Sequence, residues 1–121
     1  GANVEAKTNN GWTPLHCASW EGRLMVVQYL VGPARAFVEA KDNHGSKPLH
    51  FASSRGHLTG VQYLVEQAGA NVEAKDNNGW TPLHWASDGG HLTVVQYLVK
   101  PAGANVEAKT NNGWTPLHCA S

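Results

Sequence analysis

The sequence predicts an all-α solenoid, a stack of helix–turn–helix units joined by β-hairpin fingers. Three observations predict it. The chain repeats itself every 34 residues. Each period reads as two short helices followed by a turn-rich hairpin. One such unit also carries an apolar stripe that it is too small to bury alone, so that only stacking supplies a core.

The period is read directly from the letters. TPLH stands at residues 13–16, 81–84 and 115–118, and KPLH at 47–50. VVQYLV, GVQYLV and VVQYLV occupy 26–31, 60–65 and 94–99, while VEAK begins at Val4, Val38, Val72 and Val106. The 121 residues are three full periods and nineteen residues of a fourth, so that 1–19 and 103–121 are identical. We read one array over 1–121. It divides into a partial hairpin at 1–9, repeat 1 at 10–43, repeat 2 at 44–77, repeat 3 at 78–111 and a partial repeat 4 at 112–121.

The third unit shows why each element forms. Thr81 is an N-cap whose hydroxyl accepts from a free amide of the first turn. Pro82 follows at the first helical position, where its missing N–H is not needed. Leu83 and Ala86 give the apolar face, and Gly89 with Gly90 ends the helix. The second helix begins near His91, with Leu92, Val95, Leu98 and Val99 as its apolar stripe. Pro101 and Gly103 end it. NVEAKDNNGW, at 71–80, alternates around an Asn–Gly tip, which is a hairpin pattern.

These residues, G-x-TPLHxAS, GHLTVVQYLV and GANVEAK, resemble the ankyrin repeat over essentially the whole chain. The tetratricopeptide repeat has a similar period, but its W-LG-Y-A-F-P pattern is absent. The usual ankyrin period is about 33, and the extra residue falls after the second helix, at 32–34, 66–68 and 100–102. A longer loop is expected there. The second unit departs most. Lys47 replaces the capping threonine, at a cost of about 1 kcal/mol. Arg35 replaces a glycine, and Gly60 lies inside a helix, each costing about 1 kcal/mol where the backbone demands it. This unit is therefore expected to fray first.

Charge and composition exclude several functions. Nine Lys plus Arg balance nine Asp plus Glu, without the basic excess of a nucleic-acid binder. No block of like charge suits a membrane surface, and no apolar run approaches the roughly 18–20 residues of a spanning helix. Cys17 and Cys119 fill one repeat position and read as small buried hydrophobes rather than a disulfide. Free cysteines and the resemblance together suggest an intracellular, cytoplasmic setting.

Chemistry is also unsupported. The TPLH histidines, His16, His50, His84 and His118, recur once per unit. Stacked helices lie about 8–10 Å apart, whereas zinc needs nitrogens about 2.0–2.1 Å from one centre. The resemblance gives these histidines a structural role, tying one unit to the next finger. His57 and His91 open second helices and also read as structural. No GxSxG, Walker-type loop, HExxH or CxxC is present. Glu73 and Asp76 recur with the period and read as scaffold. No enzyme, cofactor or metal is expected.

The resemblance instead implies a protein partner bound on a concave face of hairpin tips and first-helix surfaces. The tip positions are Thr8, Asn9, Asn10 and Trp12, then Asp42, Asn43, His44 and Ser46, then Asp76, Asn77, Asn78 and Trp80, then Thr110, Asn111, Asn112 and Trp114. The helix positions are Trp20 and Glu21, Ser54 and Arg55, Asp88 and Gly89. Trp20 does not recur and reads as an exposed anchor, whereas Trp85 reads as core. The rival expectation is structural. Both ends lack polar caps, so a head-to-tail self-association, or a section of a longer array of natural or designed origin, is the alternative.

Overall fold

The computed structural model describes residues 3–120. Seven helices occur among them: α1 (Pro14–Glu21), α2 (Leu24–Val31), α3 (Pro48–Ser54), α4 (Leu58–Glu66), α5 (Pro82–Asp88), α6 (Leu92–Val99) and α7 (Pro116–Ala120). The first helices α1, α3, α5 and α7 pack one on the next. The second helices α2, α4 and α6 form a parallel row beside them. Leu15, Leu49 and Leu83 from the first row meet Val27, Leu30, Val61, Leu64, Val94 and Leu98 from the second in one continuous core.

The starts of the first helices follow the local chemistry. Thr13 and Thr81 accept from the amides of His16 and His84. The histidine reciprocates, its Nδ1 accepting from the cap amide at 3.0 Å in α1 and 3.1 Å in α5. Lys47 has no oxygen to offer, and only the returning half survives, with Lys47 N donating to His50 Nδ1 at 3.0 Å. Its ammonium instead pairs with Glu39 at 3.3 Å.

An amide donating to Nδ1 fixes the tautomer. The proton lies on Nε2, which then donates forward to the next finger. His16 reaches Ser46 O at 2.9 Å, His50 reaches Trp80 O at 2.9 Å and Ala74 O at 3.0 Å, and His84 reaches Trp114 O at 2.9 Å. Burial pushes the pKa of both His16 and His50 down, outweighing the carbonyls that favour the charged form. Protonating Nδ1 would set its hydrogen against the cap amide.

The fingers are tight turns, and no strand forms among the described residues. Each closes on itself, with Thr8 N to Trp12 O, Asp42 N to Ser46 O, Asp76 N to Trp80 O and Thr110 N to Trp114 O at 2.8–3.0 Å. Neighbouring fingers share one backbone bond apiece, as Asn43 N to Asn10 O, Asn77 N to His44 O and Asn111 N to Asn78 O. One bond per neighbour does not make a ladder. The tip glycines permit this approach: a Cβ on Gly11 (φ 82°) would lie 2.5 Å from Asn43 Oδ1. Lower down, Glu5, Glu39 and Glu73 each accept from a backbone amide of the following unit, at 2.8–3.0 Å.

The buried stripe of α6 differs from the one expected. Val94, Tyr97 and Leu98 are buried, Val95 and Val99 half-buried, and Leu92 stands in solvent. The cause is contact with α4, against which Tyr97 donates to Glu66 at 2.6 Å. Burial and that carboxylate push its phenol up to about 12.

Arg35 adopts φ 56°, where Gly69 and Gly103 adopt 70° and 78°. Gly60 is buried in α4, and a Cβ there would meet only ordinary contacts, His57 Cβ at 3.9 Å and Ala52 Cβ at 4.0 Å. Arg35→Gly and Gly60→Ala should therefore each raise the unfolding free energy by about 1 kcal/mol. Urea midpoints of the two variants check this, and a lowered midpoint for either contradicts it. Stability should also fall on acidification before any carboxylate titrates. His16 and His50 stay neutral when folded but bind protons below about pH 6.5 when unfolded. Their contribution is complete above that pH and is lost as pH falls toward the folded values. A urea midpoint no lower at about pH 5.5 than at about pH 7.5 would contradict this.

Candidate functional site

The finger tips and first helices carry several of the positions that vary between units. The second helices barely differ, reading LMVVQYLV, LTGVQYLVE and LTVVQYLV. The tips and first helices do differ. The residue after the tip glycine is Trp12, Ser46, Trp80 or Trp114, and the one after TPLH or KPLH is Cys17, Phe51, Trp85 or Cys119. Trp20, Ser54 and Asp88 share a third position.

These differences shape two aromatic clusters. Trp12 lies 4.7 Å from Phe51 and 5.8 Å from Trp20, centroid to centroid, and Trp20 lies 5.5 Å from Phe51 edge-on. His16 joins at 5.1 Å from Phe51. In the third unit Trp80 packs 5.0 Å from Trp85 and 5.9 Å from His84. Between the clusters opens a cleft of about 320 Å³. It exists because the second unit has Ser46 where its neighbours have tryptophan, and Ser54 where the first has Trp20. Both serines line it.

Trp20 is therefore half-buried rather than an exposed anchor. Its ring packs within the first cluster, and the Arg55 guanidinium lies 4.8 Å above it. Trp85 is a cleft wall rather than core. It is half-buried and donates its indole N–H to Asp76 Oδ2 at 3.2 Å. Phe51 is the buried member of that position. Cys119 is buried, with its thiol pushed up by burial, while Cys17 is half-buried.

The other expected contact residues fall into three groups. His44, Arg55, Asn78 and Asp88 are exposed beside the clefted face, as are Trp114 and Glu21, the last 3.7 Å from Arg23. Trp12 and Trp80 are half-buried, Ser54 is half-buried and Ser46 is buried. Asn43 and Asn77 are exposed yet engaged by the scaffold. Asn43 donates its side-chain amide to Asn9 O at 2.8 Å, and Asn77 donates its backbone amide to the preceding finger.

The scaffold acids do more than expected. Asp42 Oδ1 accepts from His44 N and Ser46 N, both at 2.8 Å. Asp76 Oδ1 accepts from Asn78 N and Trp80 N, both at 2.9 Å. Each holds its tip closed as an Asx turn, and both line the cleft. Sequence reading missed their second oxygens, although the pairing of Asp76 with Trp85 nine residues on was there to be compared with Asp42 and Phe51. Among the described residues no group of histidines, cysteines and acids could hold a metal, and no helix is long and apolar enough to cross a membrane.

Known families now bear on the chain. The family described as "Ankyrin repeats (3 copies)" matches residues 49–121, and "Ankyrin repeat" matches residues 10–43. No curated protein matches it. With more than half of its length matched, and with helix pairs stacked at the period those repeats require, the chain belongs to the ankyrin-repeat family.

Proposed function

We propose that this chain is a non-enzymatic protein-interaction module whose partner lies across the finger tips and first helices. Ankyrin repeats are generally modules of that kind. The observation that carries the reading is where the units differ. Residues that differ between units, Trp12 against Ser46, Phe51 against Trp85 and Trp20 against Ser54, enclose the cleft, whereas other departures such as Arg35, Lys47 and Gly60 do not line it. Aromatic rings beside exposed polar groups suit a protein interface.

In this reading Trp12, Trp20 and Trp80 supply rigid apolar area. Arg55, held over Trp20, and His44, Asn78 and Asp88 around the cleft select the partner. Glu21, Ser46, Ser54 and Trp114 extend the surface. Asn43 and Asn77 contribute chiefly by fixing finger spacing.

A ligand selected from a displayed peptide library, then titrated into the labelled protein, tests the face. The expected amide and indole shifts cluster at Trp20, His44, Arg55, Trp80 and Asp88. Trp20→Ala should weaken binding by about 30-fold, the scale of a hot-spot tryptophan, with the helical signal retained. Shifts confined to Met25, Tyr29 and Leu92, on the second-helix row, would remove the assignment.

A further inference from the structure

The repeat is its own internal control, and one comparison within it stands out. In the third unit both oxygens of Asp76 are occupied: Oδ1 by two tip amides and Oδ2 by the indole N–H of Trp85. In the second unit Asp42 Oδ1 holds the same two amides. The residue 34 before Trp85 is Phe51, which has no N–H to give. Asp42 is only 8% exposed, and among the described residues it forms no ion pair and its Oδ2 accepts no hydrogen bond. That oxygen is not sealed from solvent, since the buried side-chain atoms without a partner among the described residues are Ser19 Oγ and Ser53 Oγ, so it stays reachable from the cleft.

The turn does not require that carboxylate. Thr8 and Thr110 occupy the same position in the first and fourth units, and their hydroxyls accept from Trp12 N and Trp114 N at 3.2 and 3.1 Å. Asp42 Oδ2 therefore has no scaffold duty, and it belongs to a residue lining the cleft together with Trp12, Trp20, Phe51 and Trp85.

We infer that this cleft receives a lysine side chain of the protein partner, its ammonium donating to Asp42 Oδ2 and its stem lying among the aromatic rings. This deepens the protein-binding reading above and rests on it. The surrounding groups agree with a cation. Neighbouring His16 and His50 are kept neutral by burial, and their Nε2 protons are already given to carbonyls. Arg55 is a like charge at the rim, exposed and 4.8 Å above the Trp20 ring, so the ammonium is directed to the Asp42 side of the cleft, away from that ring face. The ring faces attract cations directly. One free oxygen favours lysine over arginine, because a guanidinium fork is best matched by two acceptors whereas an ammonium acts as a point charge.

The test titrates the labelled chain with acetyl-Gly-Lys-Gly-amide and with the same tripeptide carrying norleucine or arginine. Shifts are read at the indole N–H groups of Trp12, Trp20 and Trp85. Saturable binding of the lysine peptide is expected in the millimolar range, with norleucine at least about 10-fold weaker, as loss of a charged hydrogen bond implies. Asp42→Thr, which keeps the turn used by Thr8 and Thr110, should reduce lysine binding to the norleucine level. Phe51→Trp should do the same by supplying the missing donor.

Equal binding of lysine and norleucine, a preference for arginine, or no shift with any peptide overturns the lysine assignment. The displayed ligand separates this failure from that of the wider reading. A ligand that maps to the face but tolerates lysine-to-norleucine exchange leaves the protein-binding role standing. A ligand that maps to the second-helix row removes both.

Discussion

One buried imidazole per unit carries the register of the whole array. Nδ1 of His16, His50 and His84 accepts from the amide that opens its own helix, and Nε2 donates to a carbonyl thirty residues ahead. The ring is therefore a strut of fixed length between a helix start and the next finger. It can serve both ends only when neutral, and at His16 and His50 burial favours that form. Finger-to-finger bonds at Asn43, Asn77 and Asn111, and the glutamate bonds lower down, repeat the tie at two further heights.

Because these ties use main-chain groups and recurring side chains, the remaining positions on the same face are released from structural duty. That freedom explains how the second unit can carry Ser46, Ser54 and Phe51 without losing its fold. Small residues there open a cleft, and the substitution of phenylalanine for a tryptophan leaves an acid oxygen unanswered. The same unit carries the locally unfavourable Lys47, Arg35 and Gly60. Its helices α3 and α4 are covered on both sides, with Leu49, Ala52, Val61 and Leu64 almost completely buried. Neighbour interfaces thus offset defects that a single unit could not carry.

Much of the fold was legible because it is local and repeated. The period, the Thr–Pro helix starts and the turn signals are all short-range, and the helices lie where these place them. Strand pairing in the fingers was overread, since alternation marks extended chain but does not show that neighbours exchange enough bonds to form a ladder. The buried stripe of α6 depended on where α4 touches it, which no single-helix pattern contains. At the candidate site, the face was legible from the positions that vary. Burial was not: Trp20 lies where rings from two units meet and Trp85 lies against Trp80 of its own unit, and one sequence does not reveal how deep such a ring sits. The spare oxygen of Asp42 needed both the burial and the bond from Trp85 to Asp76.

The claim on which this account rests is that the imidazole strut couples neighbouring units. Urea unfolding of His50→Leu, followed residue by residue in amide correlation spectra, tests it most directly. The account predicts that amides of α1 and of α5 unfold at separate midpoints in the variant and at one midpoint in the unmodified chain. A single midpoint shared by both helices in the variant would contradict it.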